Sequence, residues 1–212
     1  MRRGVAALFA LAIASTCAVA DSKDIESTFQ RGYDAWFAGD IVGAMPPLKT
    51  AADAGHAKAQ ALYGALLDHA DNDAEAAVYY KKAADQGDPD GAFGLASFYM
   101  TGDTGERDPS KALPLFQLAV EKGHMGSIKT LAQNYLANSF SSLPETRFAP
   151  ETWRLVRIAA DKEELDFMVI LEQAYREGNP QVQKDIAAAD ALKAKIDKAL
   201  GLDVNKKKRR RR

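Results

Sequence analysis

One spacing recurs along this chain and limits its fold more than any other feature: a stripe of small and apolar residues closed by a glycine. Between Ala83 and Gly123 it reads Ala112, Phe116, Ala119, Val120, Gly123, the offsets that mark one face of an α-helix. Ala44, Leu48, Ala51, Ala52 and Gly55 hold the same offsets, as do Ala76, Tyr80, Ala83, Ala84 and Gly87. A fainter copy runs Thr152, Val156, Ala159, Ala160, with Glu163 in the glycine's place. Glycine suits that place because a helix commonly ends in one left-handed residue, a conformation that a Cβ resists. After each stop a second helix carries its own stripe: Tyr63, Gly64, Leu67; then Leu95, Ala96, Tyr99; then Leu131, Ala132, Tyr135. The small central residue lets a neighbouring helix come close.

Positions 55, 87, 123 and 163 are separated by 32, 36 and 40 residues. A unit of two short helices at that period cannot bury its apolar faces alone, so neighbours must stack. The expected fold is an all-α solenoid of about five antiparallel helix pairs. The motif A-x3-L-[GA]-x2-Y-x2-G followed by D-x3-A-x3-[FY]-x2-A-[AV]-x2-G is carried here by Leu95, Ala96, Tyr99, Gly102, Asp108, Ala112, Phe116, Ala119 and Gly123. With these residues the chain strongly resembles the Sel-one-like repeat (SLR) family, relatives of tetratricopeptide repeats, over roughly Phe29 to Lys198. The resemblance implies a non-enzymatic protein–protein interaction scaffold that presents a concave, mostly preformed surface built from outward residues on the first helix of each pair. It also implies adaptor or regulatory work, since some members bind the extracytoplasmic part of a sensor kinase and others assemble envelope or cell-wall complexes.

The two ends differ from the body. Arg2 and Arg3 precede an apolar stretch from Gly4 to Ala14 and an Ala18-Val19-Ala20 cleavage site, which reads as a secretory signal over residues 1–20, cleaved after Ala20. Cys17 raises a lipoprotein alternative, but Ala14, Ser15 and Thr16 before it match a lipobox poorly. Cleavage after Ala20 leaves a periplasmic or secreted chain without cysteine, which excludes disulfides, thiolate zinc and cysteine nucleophiles. The solenoid is expected over 21–203. A polybasic tail, Lys206, Lys207, Lys208, Arg209, Arg210, Arg211 and Arg212, ends a disordered stretch at 204–212. Setting aside Arg2, Arg3 and these seven, 19 basic residues face 29 acidic ones, a net charge of −10 over 21–205. The tail suits an anionic lipid or polysaccharide surface or an acidic protein. Nucleic acid is not an expected partner behind a secretory signal, and no membrane-spanning helix follows it.

Catalytic signatures are missing. His56 and His124 follow repeat glycines at equivalent positions, and His69 stands alone. The zinc and serine hydrolase motifs and both nucleotide-binding glycine patterns are absent. No catalytic residue, cofactor or metal site is expected. The acidic turns lack calcium-loop spacing, so Asp88 and Asp90 are read as caps, as is Asp108 before Pro109. Phe29, Tyr33, Trp36 and Phe37 give the first helix, about Ile25 to Ala38, an aromatic face, read as a capping helix or a ligand surface. Pro46, Pro47 and Pro114 point to a shared helix break nine residues before the glycine. The last pair is expected at about Glu164–Glu177 and Gln181–Leu200, with Ile186, Ala189, Leu192, Ile196 and Leu200 on one stripe. The longest irregular segment, Ser139 to Pro150, inserts Phe140, Leu143 and Phe148 before Trp153, Arg154 and Arg157. Long insertions are often functional and Trp and Arg are favoured in hot spots, so Phe148, Trp153, Arg154 and Arg157 are the candidate contact patch.

Overall fold

A computed structural model describes residues 22–103, 105, 107–140 and 146–202; the expected leader 1–20, the tail Lys206 to Arg212 and Leu143 lie outside them. The described residues form ten helices and no strand. Helix α1 (22–37) pairs with α2 (Ile41–Asp53), α3 (Ala57–His69) with α4 (Asp73–Asp85), and α5 (Pro89–Thr101) with α6 (Pro109–Glu121). Helices α7 (Met125–Leu136), α8 (Pro150–Asp161), α9 (Leu165–Glu177) and α10 (Ile186–Ala199) follow. The fold is the expected all-α solenoid of five helix pairs. It divides into two compact units, Met1–Ala119 and Val120–Arg212.

Each repeat glycine does what the sequence requires of it. Gly55, Gly87 and Gly123 take φ of 93°, 77° and 77°, and the next residue's N–H returns to the helix, as in His56 to the Ala51 carbonyl at 3.0 Å. Position 163 holds to the same geometry without glycine: Glu163 has φ 62°. A left-handed L-residue costs roughly 1–2 kcal/mol, of which glycine's looser unfolded chain gives back about half. Glu163→Gly should therefore raise stability by about 0.5 kcal/mol, read as a midpoint shift of about 1–2 °C in thermal unfolding; a lower midpoint would contradict the strain at this turn.

The prolines do not break their helices. Helices α2 and α6 run through Pro46, Pro47 and Pro114. The carbonyls that lose a donor belong to Val42, Gly43 and Ser110, all exposed near the helix start, where water replaces the missing N–H. Caps follow the expectation more closely. Asp40 accepts from the Gly43 amide at 2.8 Å and Asp88 from the Gly91 amide at 2.9 Å, while Asp90 sits inside the first turn of α5 instead of capping it. Asp108 accepts from the amides of Ser110 and Lys111.

In the first unit the core is the buried stripe itself: Leu48, Ala51, Tyr63, Leu67, Ala76, Tyr80, Ala92, Leu95 and Phe98 form one cluster. Ala112, Phe116 and Ala119 are fully buried, Leu95 and Ala96 are buried, and Tyr99 is half-buried under the Lys111 ammonium. Helix α3 packs on α2, α4 and also α5, the contact that stacked pairs require.

In the second unit, α8 packs between α7 and α9, and α10 closes on α9. The expected last helix starts later, at Ile186, because Asp185 caps it through the Ala188 amide. Before it, Asn179 bonds back on Val182, whose side chain is buried. Of the expected stripe, Ala189 and Ile196 are buried, whereas Ile186 and Leu200 are exposed. The segment before α8 is strapped to the helices. Phe140 is buried edge-on to Tyr135, and the Thr146 hydroxyl donates to the Tyr135 carbonyl at 2.7 Å.

Candidate functional site

The first unit holds a cleft of about 490 Å³ whose walls come from the first helix of three successive pairs. Helix α1 contributes Phe29, Tyr33 and Trp36; α3 contributes Lys58, Ala61, Leu62, Ala65 and Asp68; α5 contributes Asp90, Phe93, Gly94 and Ser97, with Tyr80 of α4 at the base.

Local chemistry explains why α1 presents aromatics there. His56 caps α3, its Nδ1 accepting from the Ala59 amide at 3.1 Å, while Nε2 meets Glu26 Oε2 of α1 at 3.0 Å. The Phe29 ring stacks on the same imidazole at 4.3 Å. One histidine thus pins α1 against the start of α3, and Tyr33 and Trp36, one and two turns on, follow along the cleft with rings 5.6 Å apart. Of the aromatic face read as capping helix or ligand surface, Phe29 is buried against the core, while Tyr33 and Trp36 stay open to the cleft.

The floor is shaped by small residues. Ala61, Ala65 and Gly94 leave the room that larger side chains would fill, and at Gly94 a Cβ would meet the Tyr80 ring at 2.5 Å. The Tyr80 hydroxyl reaches Asp68 Oδ2 at 3.2 Å. Burial raises the Tyr80 phenol well above its usual range, with Asp68 adding to the effect. Burial likewise raises the Asp68 carboxyl; Tyr80 opposes this by donating, and the charges of Asp73 and Asp103 add to it. At the other end of the α3 stripe stands Lys58, ten residues and roughly 15 Å along the helix.

A second cavity, about 480 Å³, lies within the second unit between Leu136, Arg147, Phe148, Trp153, Ile170 and the Gly178-Asn179-Pro180 turn. It gathers two of the four residues singled out in the sequence. Phe148 is 43% exposed, while Trp153 is only 5% exposed and its indole N–H donates to the Arg147 carbonyl at 3.0 Å. Arg154 is clamped by both oxygens of Glu151 at 2.6 and 2.8 Å. Arg157 donates to the Gln181 carbonyl at 2.9 Å. Neither arginine lines the cavity.

Asp53 accepts from Lys49 at 2.7 Å and from the Tyr79 hydroxyl at 2.6 Å, and these two bonds hold its carboxyl below the usual range. Among the described residues no group of three or more His, Cys, Asp or Glu could hold a metal ion, and no helix is long and apolar enough to cross a membrane.

Sequence reasoning missed most of the lining of the first cleft. The signal was present: Lys58, Ala61, Leu62, Ala65 and Asp68 form a second helical stripe, offset from the buried one. It was hidden because all of its residues but Leu62 are small or charged, as on a solvated face.

The family model for the Sel1 repeat matches residues 57–88 and 89–124. Those spans hold α3 to α6 and so the floor and one wall of the cleft. The chain carries two Sel1 repeats. Solved Sel1-type structures resemble it along most of its length. A protective antigen of uropathogenic Escherichia coli with an SLR fold superposes with a TM-score of 0.70 at 22% identity, over 86% of this chain and 40% of the antigen. A Sel1 repeat protein from Oxalobacter formigenes gives 0.69 at 21% identity, over 82% of this chain and 73% of that one. The chain thus spans well under half of the antigen's length. Identities this low establish the shared fold alone. A search of curated proteins finds no match. The Sel1-repeat fold is commonly a protein–protein interaction scaffold, typically without catalysis of its own.

Proposed function

We propose that this Sel1-repeat chain is a non-enzymatic scaffold or adaptor of the bacterial cell envelope, and that it holds a protein partner in the cleft between α1, α3 and α5. The observation that carries this reading is the cleft itself. Its aromatic wall, Tyr33, Trp36 and Phe93, is left partly open above a floor of small residues, the composition in which few side chains supply most of the binding energy. The envelope assignment rests on the leader-like residues 1–20. Regulation of a membrane sensor or an envelope complex is the role that the family resemblance suggests. The surface around Phe148, Trp153, Arg154 and Arg157 is a second contact region in this proposal, with Phe148 its most open member.

A second reading has its own observation, the seven consecutive cations of the tail: recruitment to anionic lipid or polysaccharide. Capture of partners from envelope extract separates the two. Residues 21–212 and 21–205 should retain the same protein at physiological salt, and Trp36→Ala should lower retention about tenfold or more, the loss expected for a hot-spot tryptophan. Capture that needs the tail and washes off at moderate salt would favour surface recruitment instead.

A further inference from the structure

We propose that the cleft of the first unit selects a partner segment presenting an arginine or lysine side chain beside an apolar one, with the cation seated at Asp68 between Trp36 and Tyr80. This rests on the reading of the cleft as the interaction surface and adds the chemistry of what enters it.

Charge comes first. Two carboxylates, Asp68 and Asp90, line the cleft against one ammonium, Lys58. That ammonium stands at the start of α3, and Asp68 lies near the end of the same helix. Asp68 faces the Tyr80 hydroxyl, and the other charges acting on it most strongly are Asp73 and Asp103, with His69 opposing weakly. Among the described residues Asp68 takes part in no ion pair. A half-buried carboxylate beside further carboxylates favours a cation over water.

The walls agree with that choice. Tyr33, Trp36 and Phe93 offer π-faces, which attract guanidinium and ammonium groups and cover their methylene stems. Beyond Asp68, toward Lys58, the floor becomes Ala65, Leu62 and Ala61, which takes an apolar side chain one residue or one turn away. An acidic partner segment meets the wrong sign at the Asp68 end. The net charge of −10 over 21–205 adds steering of cationic partners at long range.

The test uses two small probes on the mature chain, 21–212, followed by amide and indole NMR shifts: acetyl-Ala-Leu-Arg-Ala-amide and the same peptide with citrulline, the uncharged isostere of arginine. The arginine probe should bind at least about tenfold tighter, as expected for a charge-assisted bond to a desolvated carboxylate, and should move the Trp36 indole signal. Asp68→Asn, which keeps an acceptor for Tyr80, should abolish the preference; Asp161→Asn, the same charge change on an exposed residue of the second unit, should leave it intact. Equal binding of both probes to the unsubstituted chain overturns the proposal without any variant, as does a preference that survives in Asp68→Asn or binding of neither probe at millimolar concentration. In each of these cases the scaffold reading is judged separately, by whether Trp36→Ala loses the captured partner.

Discussion

Phe116→Ala should lower the stability of the protein by about 3–5 kcal/mol, the usual cost of emptying a fully buried phenylalanine site. That is a large share of the roughly 5–15 kcal/mol that separates a folded domain from its unfolded chain. Phe116 has no exposed surface, so its loss leaves a closed cavity in a close-packed interior. The side chain has a second role that the stripe alone does not reveal. Its ring lies 6.0 Å from that of Phe93, which lines the cleft from α5. Phe116 therefore backs the cleft wall, and if the cleft holds the partner as proposed, the variant should weaken capture beyond its loss of folded protein. Urea unfolding followed by circular dichroism measures the first effect; a loss below about 1 kcal/mol would mean that this position is not packed as described. Phe116→Leu, which keeps most of the volume, should cost much less.

Gly91→Ala carries the second large effect, and its sign opposes helix propensity. Alanine inside a helix gains about 1 kcal/mol over glycine, so a reader of sequence alone expects stabilisation in α5. In the folded chain a Cβ at Gly91 would lie 2.4 Å from the Ala83 Cβ, 3.0 Å from the Ala84 amide nitrogen and 3.1 Å from the Tyr80 carbonyl oxygen. Two of those three atoms are backbone and cannot swing aside. Helices α4 and α5 must move apart, and the expected net result is a loss of about 2 kcal/mol, within the range for overpacked cores. An unchanged or higher urea midpoint would show that the helices approach less closely than this. A second glycine of α5 explains how Tyr80 reaches the cleft: with Gly94 against its ring, the hydroxyl passes under α5 to meet Asp68.

What could be read before the fold was known followed from period and stereochemistry. The stripes of Ala76, Tyr80, Ala83, Ala84 and of Ala112, Phe116, Ala119 had to face a core, because spacings of three and four put them on one side of a helix. Gly55, Gly87 and Gly123 had to end helices, because each ends a stripe and glycine takes a positive φ without strain. The weaker copy was legible as well, though Glu163 holds the left-handed turn under strain. The prolines were misjudged for a local reason: Pro46, Pro47 and Pro114 fall early enough that the carbonyls they strand lie in solvent.

The candidate site was less legible. Phe148, Trp153, Arg154 and Arg157 drew notice by residue type, yet type does not report burial. Trp153 is folded in by a bond to the Arg147 carbonyl, and Arg154 and Arg157 are occupied by Glu151 and the Gln181 carbonyl. The residues that line the first cleft are ordinary by themselves. Lys58, Ala61, Ala65, Asp68 and Ser97 become a surface only when α1, α3 and α5 stand side by side.

Local spacing alone was enough for the repeat helices, their glycine-ended stops, their pairing period and the buried face of each, since these depend on residues within one or two turns of each other. Which of the remaining faces line a cleft was left to the tertiary structure. That choice depends on which outward stripes are brought together across long separations, on glycines that let one ring pass beneath a neighbouring helix, and on the burial that leaves Asp68 half out of water beside Tyr80.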